Sequence, residues 1–176
     1  VEKGYLPFFF PETLRSFSED SIFYPIGTIP FTKTILCDEG YGLITYKSDR
    51  FGLRNNDQSW DKVNEGKNIF VIGDSYTHGI CVEDKYTISS ILNQKTGINS
   101  INLGSGGNGP YEYISIMNSM IKPIISKNKK NSFWIVINYY VNDDMNVNLF
   151  LENLIKDPNQ ILEFDGKNNP IPLSEY

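Results

Sequence analysis

From residue 68 onward, apolar positions form short continuous blocks that alternate with helically spaced ones. Continuous apolar runs bounded by glycine or polar residues predict a buried strand over 68–73 and another apolar strand over 133–138, and a short strand is predicted over 99–103. Between them, Ile88, Ile91 and Leu92, and then Tyr113, Ile116, Met117, Met120 and Ile121, recur at steps of three and four. That spacing lines one face of a helix and predicts helices over 86–96 and 111–126. Gly97 is the expected C-terminal cap of the first, and Pro110 suits the first turn of the second. Another helix is predicted over 147–156. Strands roughly 30 residues apart, with a helix in each interval, are the pattern of a parallel sheet with helices on its faces. Right-handed crossovers then bring the three strand ends to one edge.

Residues 1–65 have a different texture. The aromatic stretch Tyr5 to Phe10 is broken by Pro7 and followed by Pro11, and Pro25, Gly27 and Pro30 punctuate what comes next. Proline and glycine at this density reject long helices. Two short apolar or alternating pieces, 32–36 and 42–46, predict extended segments and a hairpin. Residues 51–57 predict a turn that anchors them, with Arg54 in a structural or surface role. The expected organisation is an extended arm over 1–65 packed on a core domain over 66–176. The final stretch, 162–176, carries Gly166, Asn168, Asn169, Pro170 and Pro172 and reads as a turn or linker.

Composition narrows the function classes. A chain of 176 residues with 40% hydrophobic and 14% aromatic residues buries a substantial core. Its 16 basic and 21 acidic side chains give a net charge of −5, which argues against a nucleic-acid surface. The one basic cluster, Lys127, Lys129 and Lys130, sits in a polar stretch between a helix and a strand and reads as a solvated loop. No apolar run reaches the ~18 residues that a membrane-spanning helix needs. Cys37 and Cys81 are too few for a disulfide framework and lack zinc-ligand spacing. They pair once if the domain is extracytoplasmic, or remain two partly buried thiols; both readings stay open. The sequence starts at Val1 rather than Met, and the expectation is that the true N-terminus and any targeting segment lie upstream.

Chemistry concentrates at the three expected strand ends. Gly73-Asp74-Ser75 follows the first, Gly104-Ser105-Gly106-Gly107-Asn108-Gly109-Pro110 the second, and Asn142-Asp143 follows the third. Acyl transfer needs a nucleophile, donors for the developing oxyanion and a base for the nucleophile's proton. Ser75 offers the hydroxyl. The N–H groups of Ser75 and a loop glycine, with the side-chain amide of Asn142, offer three oxyanion donors. Asp74 and Asp143 have two readings, a divalent-metal pair or carboxylates that fix the active-site turns by accepting backbone N–H groups; the second is preferred. His78, the only histidine of the chain, is one helical turn from Ser75. An imidazole so close has poor geometry for the Oγ proton, and a local or substrate-lining role is expected for it.

These three blocks, over 68–145, resemble the SGNH (GDSL-type) hydrolase superfamily. The stretch Tyr46-Lys47-Ser48-Asp49-Arg50-Phe51-Gly52-Leu53-Arg54-Asn55 resembles a lead-in of bacterial SGNH-like proteins. The resemblance implies an α/β fold, a three-layer α/β/α sandwich with a central parallel sheet of flavodoxin-like type. It implies Ser75 as nucleophile, Gly107 and Asn142 as oxyanion donors, and no metal or organic cofactor. The implied function is a serine ester hydrolase or O-acyltransferase, acting on a small-molecule or glycan ester, with acylated carbohydrate or cell-envelope glycan as the expected substrate. An extracytoplasmic location is favoured over a cytoplasmic one. The chain departs from the family pattern in two places. Tyr140-Val141 stands where a glycine usually precedes the Asn-Asp pair, and no Asp-x-x-His follows: Asp165 has Asn168 three residues on. Either the sequence ends before that fourth block, or the protein has lost its base and is a binding module for carbohydrate or acyl groups on the same fold.

The glycine loop also matches Gly-x-Gly-x-x-Gly, the dinucleotide fingerprint. The acidic residue expected at the end of the next strand is missing, since that strand ends at Asn138, and the loop follows the second strand rather than the first. Nucleotide binding is the lesser reading. Thr77 replaces the second glycine of the Gly-x-Ser-x-Gly elbow, so the chain is not of the α/β-hydrolase type.

Overall fold

A computed structural model describes residues 27–40 and 42–140, together with short strands at 6–7, 162–164 and 170–172. The predicted helix over 147–156, and Asn142 and Asp143, lie outside the described residues.

The arm forms a small sheet. Strand β1 (Leu6–Pro7) runs parallel to β2 (Lys33–Asp38), which pairs antiparallel with β3 (Leu43–Lys47), a hairpin irregular between Ile35 and Cys37. In β3, Ile44 and Tyr46 point inward, while Leu43 and Lys47 are exposed and Thr45 is half-buried, the period of a half-buried strand. The chain then turns around Asp49. Its buried carboxylate accepts from Phe51 N (2.9 Å), Leu53 N (2.8 Å), Asn55 Nδ2 (2.8 Å) and Trp60 Nε1 (2.7 Å). Burial pushes this carboxyl up to about 6, against the pull of those four donors. The expected anchoring turn is therefore built on Asp49, with the one-turn helix α1 (Gln58–Asp61) placing Trp60 in the core.

The main sheet has three parallel strands in the order β5 (Asn99–Gly104), β4 (Lys67–Gly73), β6 (Ser132–Asn138). Central β4 carries Phe70, Val71 and Ile72 fully buried, which explains a run without polar alternation. Between β4 and β5 lie α2 (Ser75–His78) and α3 (Ile88–Thr96). Thr87 caps α3 by accepting from Ser90 N, and Gly97 closes it with φ 67°. Between β5 and β6 lie α4 (Pro110–Ile116), a π-helical turn (Met117–Ile121) and α5 (Lys122–Lys127). The π turn stands just before Pro123, whose nitrogen has no proton to donate to the preceding turn. The apolar stripe of this segment buries Tyr113, Ile116, Met120 and Ile121 against Phe70, Ile72, Ile101 and Leu103. Lys127, Lys129 and Lys130 are exposed, as expected of a solvated loop.

The two flanks of the sheet differ. On β5 the backbone of Asn102 is met by a side chain that mimics a strand: Asn55 Oδ1 accepts from Asn102 N (2.7 Å) and Asn55 Nδ2 donates to Asn102 O (2.9 Å). On β6, Trp134, Ile135, Val136 and Ile137 are 37–54% exposed. At the C-terminal end, where the sequence predicts a turn or linker, β7 (Leu162–Phe164) pairs antiparallel with β8 (Pro170–Pro172). The prolines are tolerated because a two-stranded pair is all edge, where a missing N–H need not break a ladder. Among the described residues no helix is long and apolar enough to cross a membrane.

Candidate functional site

Strand register sets the site. Gly73 lies opposite both Gly104 of β5 and Asn138 of β6, so the three strands end level. Asp74 leaves the sheet with φ −87° and ψ −149°, and its Oδ1 accepts from Tyr76 N at 2.9 Å. That bond makes Asp74 the N-cap of α2 and Ser75 the first residue of the turn. Asp74 thus fixes the turn through a backbone N–H. Ser75 is partly exposed at the head of α2. Its N–H, in the first turn of a helix, has no intrahelical acceptor and points toward the open end.

Close approach holds α2 down on the strand ends. A Cβ on Gly104 would stand 2.5 Å from His78 N and 2.6 Å from Thr77 Cβ. A Cβ on Gly73 would collide with Thr77 Oγ1 and stand 3.0 Å from Asn138 O. Glycine at both positions lets the buried Thr77 fill the space between the strands. Asn138 Nδ2 donates to Thr77 Oγ1 at 3.1 Å, tying the end of β6 to the turn that carries Ser75. Just beyond, the ring of Tyr140 stands 4.2 Å from that of Tyr76.

The glycine loop follows β5 beside this turn. Ser105 N donates to Gly73 O (3.3 Å) and Asn108 N to Ser105 O (3.2 Å). Gly109 N donates to Glu112 Oε2 (2.8 Å), so the loop is held at both ends. Gly107, at its tip, is exposed with φ 83°, and its N–H donates to no described residue.

His78 is placed differently from Ser75. It is 2% exposed, with its ring edge-on to Tyr46 at 5.6 Å. Burial, and then the charge of Arg54, push its imidazole down to about 3. His78 is neutral at ordinary pH and belongs to the support of the turn. Arg54 is equally buried. Its Nη1 donates to Gly79 O (2.5 Å), its Nη2 to Val82 O (2.6 Å), and its Nε to Asp84 Oδ1 (2.8 Å). The guanidinium, 5.2 Å from the Tyr46 ring centre, clamps the backbone after α2 to the arm. Cys81 forms a disulfide with Cys37 of β2, a second tie between the same parts, and this resolves the two cysteine readings.

Sequence reasoning missed the Asp49 hub, the Thr77–Asn138 bond and the Arg54 carbonyl clamp. The Thr77–Asn138 bond and the Arg54 clamp join partners far apart in the chain and carry no local signal, whereas the donors to Asp49 lie within 11 residues of it and what stays hidden there is the burial of the carboxylate. Asn142 and Asp143 belong to the stretch outside the described residues, so the structure gathers Ser75, Asp74 and the Gly107 loop at one edge and leaves those two unplaced. Among the described residues no group of three or more His, Cys, Asp or Glu side chains could hold a metal ion. Comparison of the chain with protein-family models, with curated proteins and with solved structures finds no match.

Proposed function

We propose that this chain carries the nucleophile and oxyanion donors of a serine ester hydrolase or O-acyltransferase of SGNH type, on a flavodoxin-like three-layer α/β/α sandwich. The observation that carries this reading is the level ending of three parallel strands, with Ser75 at a capped turn beside a glycine loop whose tip N–H is open. Helices that pack on β4 and on β5, and the burial of Phe70, Val71 and Ile72 alike, support the layered fold. In this reading Ser75 Oγ attacks the ester carbonyl and gives up its proton to a general base. The carbonyl π pair moves onto oxygen, which the N–H groups of Ser75 and Gly107 and the amide of Asn142 receive. Collapse expels the alkoxide, which takes a proton, and water or an acceptor hydroxyl then releases the acyl group. Loss of one oxyanion donor costs about 3 kcal/mol of transition-state stabilisation. His78 is not the base in this scheme, because its ring is buried against Tyr46 and held to about 3. The Cys37–Cys81 disulfide supports an oxidising, extracytoplasmic setting.

The burial of the chain's only histidine favours a second reading, a binding module on the same fold. Hydrolysis of p-nitrophenyl acetate and labelling by a fluorophosphonate separate the two. Turnover and label on Ser75, both lost in Ser75→Ala, support the hydrolase. Equal rates in Ser75→Ala reject Ser75 as nucleophile, and no turnover with no label leaves the binding module.

A further inference from the structure

A second concavity lies away from Ser75. It is a cleft of about 760 Å³ between the arm, α1 and α3, within the size range of small-molecule sites. Neither Ser75 nor Gly107 lines it. Its floor includes Ser100 near the amino end of β5, four residues or ~13 Å along the strand from the glycine loop.

Polar residues far outnumber apolar ones along the lining. Serine and threonine hydroxyls and asparagine and glutamine amides make up most of it. An acyl chain placed here would desolvate these groups and return no hydrogen bonds. A sugar returns them, because each hydroxyl both donates and accepts, as the lining hydroxyls and amides do.

Three features mark the cleft as more than a surface dip. Ser100 is 7% exposed, and its Oγ is buried with no hydrogen-bond partner. Buried hydroxyls are nearly always paired, and a rotation of this side chain toward the cleft would let a ligand atom complete it. Phe31 lines the cleft and is 49% exposed, held at φ 54° with its N–H on Asp49 O. A bulky residue is costly in that left-handed region, and such strain collects at functional positions. It presents a flat apolar ring against which the C–H face of a pyranose packs. Charge is the third feature. Asp84 is paired with Arg54 and Asp57 with Arg50. Lys47 and Lys62, also on the lining, make no ion pair among the described residues.

We propose that this cleft binds a saccharide bearing a negatively charged group, with the ring on Phe31, a hydroxyl on Ser100 and the anion at Lys47 and Lys62. It is a binding site independent of Ser75.

An array of immobilised neutral and acidic oligosaccharides tests this with the full chain. The expected result is retention on acidic glycans that falls at least tenfold in Lys47→Ala/Lys62→Ala and in Phe31→Ala, while Ser75→Ala binds as the wild type. Both lysines are exposed, so their removal leaves the fold intact, which circular dichroism checks. Retention of no glycan, equal retention of neutral and acidic ones, or binding unchanged in the double lysine variant each overturns the proposal. Loss of binding in Ser75→Ala overturns its independence from the Ser75 site.

Discussion

Asn138 Nδ2 donates to Thr77 Oγ1 at 3.1 Å across 61 residues of sequence. The bond joins the last residue of β6 to the turn that displays Ser75. A Thr77→Val, Asn138→Ala double-mutant cycle in urea is expected to give a coupling of about 0.5–1.5 kcal/mol. Fluorophosphonate labelling of Ser75 is expected to slow in both single variants. A coupling indistinguishable from zero removes the bond from the support of the turn.

Gly104 is required by space rather than by backbone dihedral. Gly104→Ala drives a methyl against His78 N and Thr77 Cβ, atoms of the turn itself. A cost of about 1–3 kcal/mol is expected, with loss of labelling at Ser75. Gly97→Ala, whose added Cβ meets nothing within 4 Å, is strained only by its φ of 67° and leaves labelling unchanged. If both variants label alike, close approach is not what seats α2.

The disulfide closes a sequence separation of 44 residues between β2 and the segment after α2. Cross-linking a loop of this length removes chain entropy worth up to about 4 kcal/mol. Cys37→Ser/Cys81→Ser is expected to lower stability by an amount approaching that. Arg54 still clamps Gly79 and Val82 in the variant, so its secondary structure is retained. A thermal midpoint unmoved by the double substitution, or by dithiothreitol, contradicts the role given to the bridge.

Asp49 and His78 bend the pH dependence in opposite directions. The Asp49 carboxyl is raised from 3.8 to about 6 in the fold, so its contribution is full below 3.8 and is lost as pH rises through about 6. The His78 imidazole is lowered from 6.5 to about 3, so its contribution is full above 6.5 and is lost as pH falls toward 3. Each slope is about 1.4 kcal/mol per pH unit, and the two cancel between about pH 4 and 6. Asp49→Asn is expected to lose stability on acidification through that window, and His78→Gln to gain it. Urea midpoints at the two ends of the window read this directly; parallel profiles in the two variants reject the assignment.

The described strands and helices of the main sheet were legible because their signals are local. Ile69 to Ile72 is apolar without alternation, as a doubly covered strand must be. Ile116, Met120 and Ile121 fall on one face at helical spacing, and Gly97 and Pro110 punctuate the ends. The π turn was not legible, since the helical pattern runs through Pro123 without a break. The antiparallel pairing of Leu162–Phe164 with Pro170–Pro172 was hidden by the prolines, which locally read as a turn.

By itself the sequence determined the order of strands and helices, and the residues carried at each strand end, because backbone propensity and periodicity act over a few neighbours. Only the tertiary structure decided what those residues do there. It set Gly73, Gly104 and Asn138 level, because strand register is fixed by burial of whole faces. It paired Cys37 with Cys81 and turned Asp49 into a hub for four donors. It also took His78, three residues from Ser75 in sequence, into the interior against Tyr46. Burial and the charge of Arg54 then hold that imidazole neutral, and both depend on partners that no local pattern reveals.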